Sequence, residues 1–228
     1  TKYGITGRES DDDSEIVSPQ QIFCEILEKH GYDRQHRLKA DDAGYESVPS
    51  PLQLASFGTQ LVKAVHSSDV ELLGRLMSCG ISPNPCNQFK DSILDLVCKR
   101  TNLPIFECLL QHGADIQVVD GFGRTPLHHC CWASSFSPKI AQSILERDPM
   151  QIFMEDKHGQ TPLEYVRADL AGDWIDFLEQ VATKFWPVGG HLPEMLSPKD
   201  RRPGGNLVDP INASSVSLAA LVSSGSIT

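Results

Sequence analysis

Four short segments recur along the chain: Thr59-Gln-Leu-Val-Lys-Ala, Ser92-Ile-Leu-Asp-Leu-Val, Thr125-Pro-Leu-His-His-Cys and Thr161-Pro-Leu-Glu-Tyr-Val. They lie 33, 33 and 36 residues apart. A fixed period in that range constrains the fold to a stack of repeats, because one such unit cannot bury its apolar face alone. Chains of this kind bind along an extended surface and usually lack a catalytic cleft.

The apolar positions give each unit its content. With Thr or Ser as position zero, Leu61, Leu94, Leu127 and Leu163 stand two residues on. Ala64, Val97, Cys130 and Val166 stand five on, on the same face of a first helix. A second set follows: Leu72, Leu73 and Leu76; Ile105, Phe106 and Leu109; Ile144 and Leu145; Trp174, Ile175 and Leu178. That spacing predicts a second amphipathic helix. Gly80 and Gly113 stand where helices often end in a left-handed turn. Each unit therefore reads as helix, turn, helix and loop.

The unit resembles the ankyrin repeat. Gly123-Arg-Thr-Pro-Leu-His128 and Gly159-Gln-Thr-Pro-Leu-Glu164 are similar to its Gly-x-Thr-Pro-Leu-His turn. Leu109-Leu110-Gln-His-Gly113-Ala114-Asp115 is similar to the end of its second helix, and Leu76 to Asn84 is a weaker copy. In such a unit Thr caps the first helix, Pro fits its first turn, and His bonds back to the Thr region. The resemblance implies an all-α solenoid of about four repeats. Repeats one and two carry Gln60 and Ile93 in place of Pro. Repeat three is longer, with Ser134 to Pro138 extending its turn and Ser137-Pro138 starting its second helix. Pro149 stands where the family has Gly, so that helix should end differently. Repeat four should close the stack.

Three regions are expected: an acidic segment 1–50, a repeat domain 51–186 and a tail 187–228. Residues 1–50 hold eleven Asp and Glu against six Lys and Arg. The run Asp11-Asp12-Asp13-Ser14-Glu15 reads as solvated. Ser18-Pro19 followed by Ile22, Phe23, Ile26 and Leu27 predicts a short helix over about 19–30, a cap on the first repeat. Pro and Gly punctuate the tail's start, and Ser214 to Thr228 reads as flexible. The chain opens on Thr1 rather than Met, so targeting is not legible from it.

The net charge of −10 argues against nucleic acid or anionic membrane as a partner. The sequence contains no apolar run of bilayer length. Seven cysteines in no disulfide or zinc spacing suit a reducing compartment, the cytosol or nucleus. Cys98, Cys108 and Cys130 fall at small apolar core positions. His128-His129-Cys130-Cys131 looks like a metal cluster, but adjacent helical residues point about 100° apart and do not converge on one ion. No nucleophile with a base and orienting acid emerges, and no phosphate loop. The expectation is no enzyme, no metal and no cofactor.

What remains is a binding surface. By the resemblance, contact positions are the loop tips and the exposed side of each first helix. They are Phe89, Lys99 and Arg100 at repeat two, Phe122, Arg124, His129 and Trp132 at repeat three, and Lys157, His158 and Tyr165 at repeat four. Aromatic residues and Arg are typical interface anchors. The competing reading is that Trp132 and Phe122 pack against the next repeat. The expected function is a non-catalytic adaptor or scaffold that grips another protein on the concave face. The alternative is a structural subunit of a larger assembly, held by the stack and its extended tails.

Overall fold

A computed structural model describes residues 17–40, 42–45, 48–193 and 213–226. Helices α3 (Thr59–His66), α5 (Ile93–Lys99) and α7 (Pro126–Cys131) are the first helices of three units. Helices α4 (Val70–Ser78), α6 (Leu103–Gln111) and α8 (Pro138–Arg147) are the second. Each set stacks side by side, giving two layers that enclose one core. Leu61, Leu94, Leu127 and Leu163 are fully or almost fully buried between them. Each such side chain contributes about 2 kcal/mol by leaving water.

Caps and turns set where the helices start and stop. Ser92 accepts from the Asp95 N–H at 3.0 Å, which starts α5. Asp69 caps α4 through the Leu72 N–H at 2.9 Å, and Asn102 opens α6. Gly80 (φ 90°) and Gly113 (φ 89°) end α4 and α6 in the left-handed turn expected of them. The lengthened turn of repeat three runs to Ser137, and Pro138 starts α8. The irregular end of α8 has a physical account. Asp148 is buried and accepts from the Met150 N–H, Gln117 Nε2 and the Tyr45 hydroxyl. It thereby turns the chain into a short 3-10 helix, Pro149–Phe153.

Three expectations need correction. First, the fourth unit opens with a 3-10 turn, Pro162–Tyr165, rather than an α-helix, and Val166 is only half-buried. Among the described residues no fifth first helix packs beside it. Its second helix is α9, Ala171–Phe185. Second, the N-terminal helix α1, Pro19–His30, covers the last repeat rather than the first, lying on α9 and the 3-10 turn. Third, part of the tail is helical. Helix α10, Ala213–Ser224, packs on α3 and on α2, Pro51–Ser56. It therefore covers the first repeat. The architecture is all-α as expected, with one parallel pair of two-residue strands among the described residues, β1 (Leu38–Lys39) and β2 (Met154–Glu155). The run 11–15 and the segment 194–212 lie outside the described residues.

Candidate functional site

The site is built on three loops that share one design. Asn87, Asp120 and Asp156 each stand five residues before the Ser or Thr that opens a first helix. Each side chain accepts two loop N–H groups: from Phe89 and Asp91 at 2.8 and 3.0 Å, from Phe122 and Arg124 at 2.8 and 3.0 Å, and from His158 and Gln160 at 2.8 and 3.0 Å. Short Asx side chains are suited to such turns. Two residues before the helix the backbone is left-handed at Lys90 (φ 69°), Gly123 (φ 80°) and Gly159 (φ 76°). The Lys157 N–H also donates to Phe122 O at 2.9 Å, tying the second and third loops together.

These loops and first helices place an aromatic and cationic row on one side of the molecule. The Arg124 guanidinium lies 4.7 Å from the Phe122 ring and 4.9 Å from the Trp132 ring. Lys99 Nζ lies 4.4 Å from the Trp132 ring centre. Tyr165 tilts against Trp132 at 5.7 Å, and His158 stacks with Phe122 at 6.4 Å. Exposure remains substantial: 69% at Phe89, 54% at Phe122 and 40% at Trp132. The structure thus gathers Lys99, Phe122, Arg124, Trp132, His158 and Tyr165 into one contiguous group. Arg100 is exposed beside it, Phe89 stands at its own loop tip, and Lys157 donates to Gly121 O at 2.6 Å. Trp132 and Phe122 also touch the neighbouring unit, so part of each ring serves packing.

His129 is a correction to the expected exposed surface. It is buried, with Nε2 3.3 Å from Asp120 Oδ2 and 3.8 Å from Asp95 Oδ1. Two carboxylates from repeats two and three draw it inward. Arg124 closes the cluster, with Nε and an Nη each 2.7 Å from Asp120 Oδ2. Burial alone would raise the Asp120 carboxyl, but bonds from His129 and Arg124 outweigh it and hold it below the usual carboxylate range. Asp95 goes the other way. Its complete burial pushes its carboxyl up against the pull of His129.

His128 behaves as the resemblance implies. Its Nδ1 accepts from the Thr125 N–H at 3.0 Å, leaving Nε2 to donate to Gln160 O at 3.1 Å. Burial lowers its pKa to about 4, so it is neutral at pH 7. Tyr165 donates to Asp156, and burial with that carboxylate pushes the phenol up to about 12. These groups orient the loops. Among the described residues no His, Cys, Asp and Glu converge as metal ligands. Cys98, Cys108, Cys130 and Cys131 are buried thiols. The arrangement can present flat rings and cations to a partner's surface.

The sequence reading passed over Lys63 and His66, exposed on α3. Their signal was available. His66, Lys99 and Trp132 all stand seven residues after position zero. It also passed over the Asx position, which recurs in step with the loops.

Comparison with known proteins agrees with this architecture. Residues 61–156 match a family model described as ankyrin repeats, in three copies. Over 93 residues the chain is 36% identical to the ADP-ribosylation factor GTPase-activating protein AGD4 of Arabidopsis thaliana, covering 36% of this chain and 12% of that one. Similarity to AGD2 of the same plant has the same extent. A shorter stretch of 39 residues is 51% identical to AGD1, covering 17% of this chain and 5% of the relative. The chain thus spans about one eighth or less of the length of these relatives. The helical stack is an all-α ankyrin-repeat solenoid.

Proposed function

We propose, from the premise that residues 61–156 are ankyrin repeats, that this protein is a non-catalytic adaptor or scaffold. It grips a segment of another protein along the loop tips and the exposed side of the first helices. One observation carries the reading: the row Lys99, Trp132, Arg124 and Phe122 is held in fixed geometry by its own repeats yet keeps about half of each large ring in water. Rigid, partly exposed aromatics beside Arg are the residues that dominate interfaces. The relatives named for GTPase activation share only the repeat region with this chain, so no such activity is carried over. The free thiols support a reducing compartment, cytosol or nucleus. Among the described residues no helix is long and apolar enough to cross a membrane.

The test is affinity capture from the source cell with the natural chain beside a Phe122→Ala/Trp132→Ala variant. The expected result is a captured protein that disappears with the variant while the helical circular dichroism stays unchanged. Equal capture by both would overturn the assignment of this surface.

A further inference from the structure

We infer that the first-helix face takes an acidic, extended polypeptide segment, a deepening that rests on the adaptor reading above. Charge is distributed unevenly across the stack. The chain as a whole carries −10. The charged side chains that its first helices expose are nevertheless cationic. Lys63 stands on α3 and Lys99 at the end of α5, with Arg100 as the C-cap of α5. The carboxylate of α5, Asp95, is buried. Helix α7 has none. The second helices are mixed, with Glu71 paired to Arg75 on α4, Glu107 on α6, and Lys139 and Arg147 beside Glu146 on α8, whereas α9 exposes Asp173, Asp176 and Glu179.

Three carboxylates close to the row are ion-paired: Asp120 with Arg124, Asp169 with Arg167 and Glu164 with Arg37. Asp156 and Asp91 keep their charge, bonded to the neutral Tyr165 hydroxyl and, at 2.8 Å, to Asn87 Nδ2. Lys63, Lys90, Lys99 and Arg100 form no ion pair among the described residues. A face lined by unpaired cations steers and orients an acidic partner. Lys99 stands 4.4 Å from the half-exposed Trp132 ring, so an apolar side chain of the segment has a platform beside a cation that meets its carboxylates. The cations are few and the chain is acidic overall, which favours a short acidic peptide over a nucleic acid whose phosphates extend across the whole surface.

The experiment is a titration of the full chain with three fluorescein-labelled probes: a peptide of alternating Glu and Ser around one Leu, the same peptide with Lys for Glu, and a single-stranded RNA of equal length. Anisotropy reads binding. A change in tryptophan emission on binding provides a second reading, assigned to Trp132 because Trp174 and Trp186 are buried away from the ligand, and its loss in Trp132→Ala checks that. The expected result is binding of the acidic peptide alone. It should weaken with added salt and fall about tenfold or more in Lys99→Glu/Arg100→Glu, two exposed positions whose exchange leaves the core intact. Equal or tighter binding of the Lys peptide, binding of the RNA alone, or no loss with the double variant would overturn the inference. The two readings fail separately. If capture of a cellular partner is lost with Phe122→Ala/Trp132→Ala but survives Lys99→Glu/Arg100→Glu, the adaptor surface stands and its acidic ligand falls. If capture survives both, both fall.

Discussion

At the last repeat, α1 lays Phe23 against Trp186 at 4.9 Å and against Phe153 at 5.6 Å. Its following turn adds a Tyr32 hydroxyl bond to Pro187 O at 2.8 Å and a Gly189 N–H bond to His30 O at 3.0 Å. At the first repeat, α10 buries Ala219, Val222 and Ser223 among its described side chains, and Ser223 Oγ donates to Ala55 O at 2.7 Å. No residue from 213 to 226 carries a charge. One end is closed by large rings and the other by close approach of small residues. The comparison teaches that an end of a stack can be covered either by area or by proximity. The first tolerates neighbours shifting. The second depends on nothing being in the way.

Phe23→Ala should have the largest effect, about 3–5 kcal/mol, because it empties the aromatic cluster at the last end. Urea unfolding measures it. A loss below about 1 kcal/mol would mean that the rings at this end rearrange to fill the gap. Gly58→Ala tests the opposite end. A Cβ there would lie 2.4 Å from Ser223 O and 2.5 Å from its carbonyl carbon. Such overpacking costs about 1–3 kcal/mol, confined here to one docked helix. Hydrogen exchange should show residues 213–224 losing protection while α1 keeps its own. Unchanged protection of α10 would show that close approach does not hold it.

The smallest effect separates both ends from the middle. Asp120 is held below the usual carboxylate range, so its stabilisation is full above that range and is lost as pH falls through the depressed value. Asp95 is raised by burial, so its cost at neutral pH is relieved as pH falls through its raised value. The two partly offset each other. Asp95→Asn removes the relief and should steepen the fall of melting temperature on acidification. A slope that stays the same or becomes shallower would contradict this balance.

The interior of the stack was legible because its signals are local. Thr-Pro-Leu marks a helix start, Gly80 and Gly113 mark stops, and the Leu rows mark the buried face. The closures were not legible in the same way. Helix α10 is uncharged, with Ser and apolar residues mixed around it, so no period distinguishes it from a tail; only burial against α2 and α3 does. The destination of α1 depends on which surface remains uncovered after four units have stacked, and no local pattern encodes that. His129 shows the same limit within the site. Its position along α7 places it on the first-helix face, but the two carboxylates that turn it inward come from α5 and from a loop.

The crossed closures also order events during synthesis. Helix α1 is made before any of the repeats, yet its aromatic partner Trp186 is made more than 150 residues later. The first repeat is the earliest repeat to be complete, but its cover is not finished until Ser224 has been added. Folding that follows translation from the first unit to the last would therefore pass through stacks open at both ends. Once Trp186 has been made α1 can close one end, but the face of α2 and α3 that α10 covers stays open until α10 follows, so the two ends close in sequence and not together.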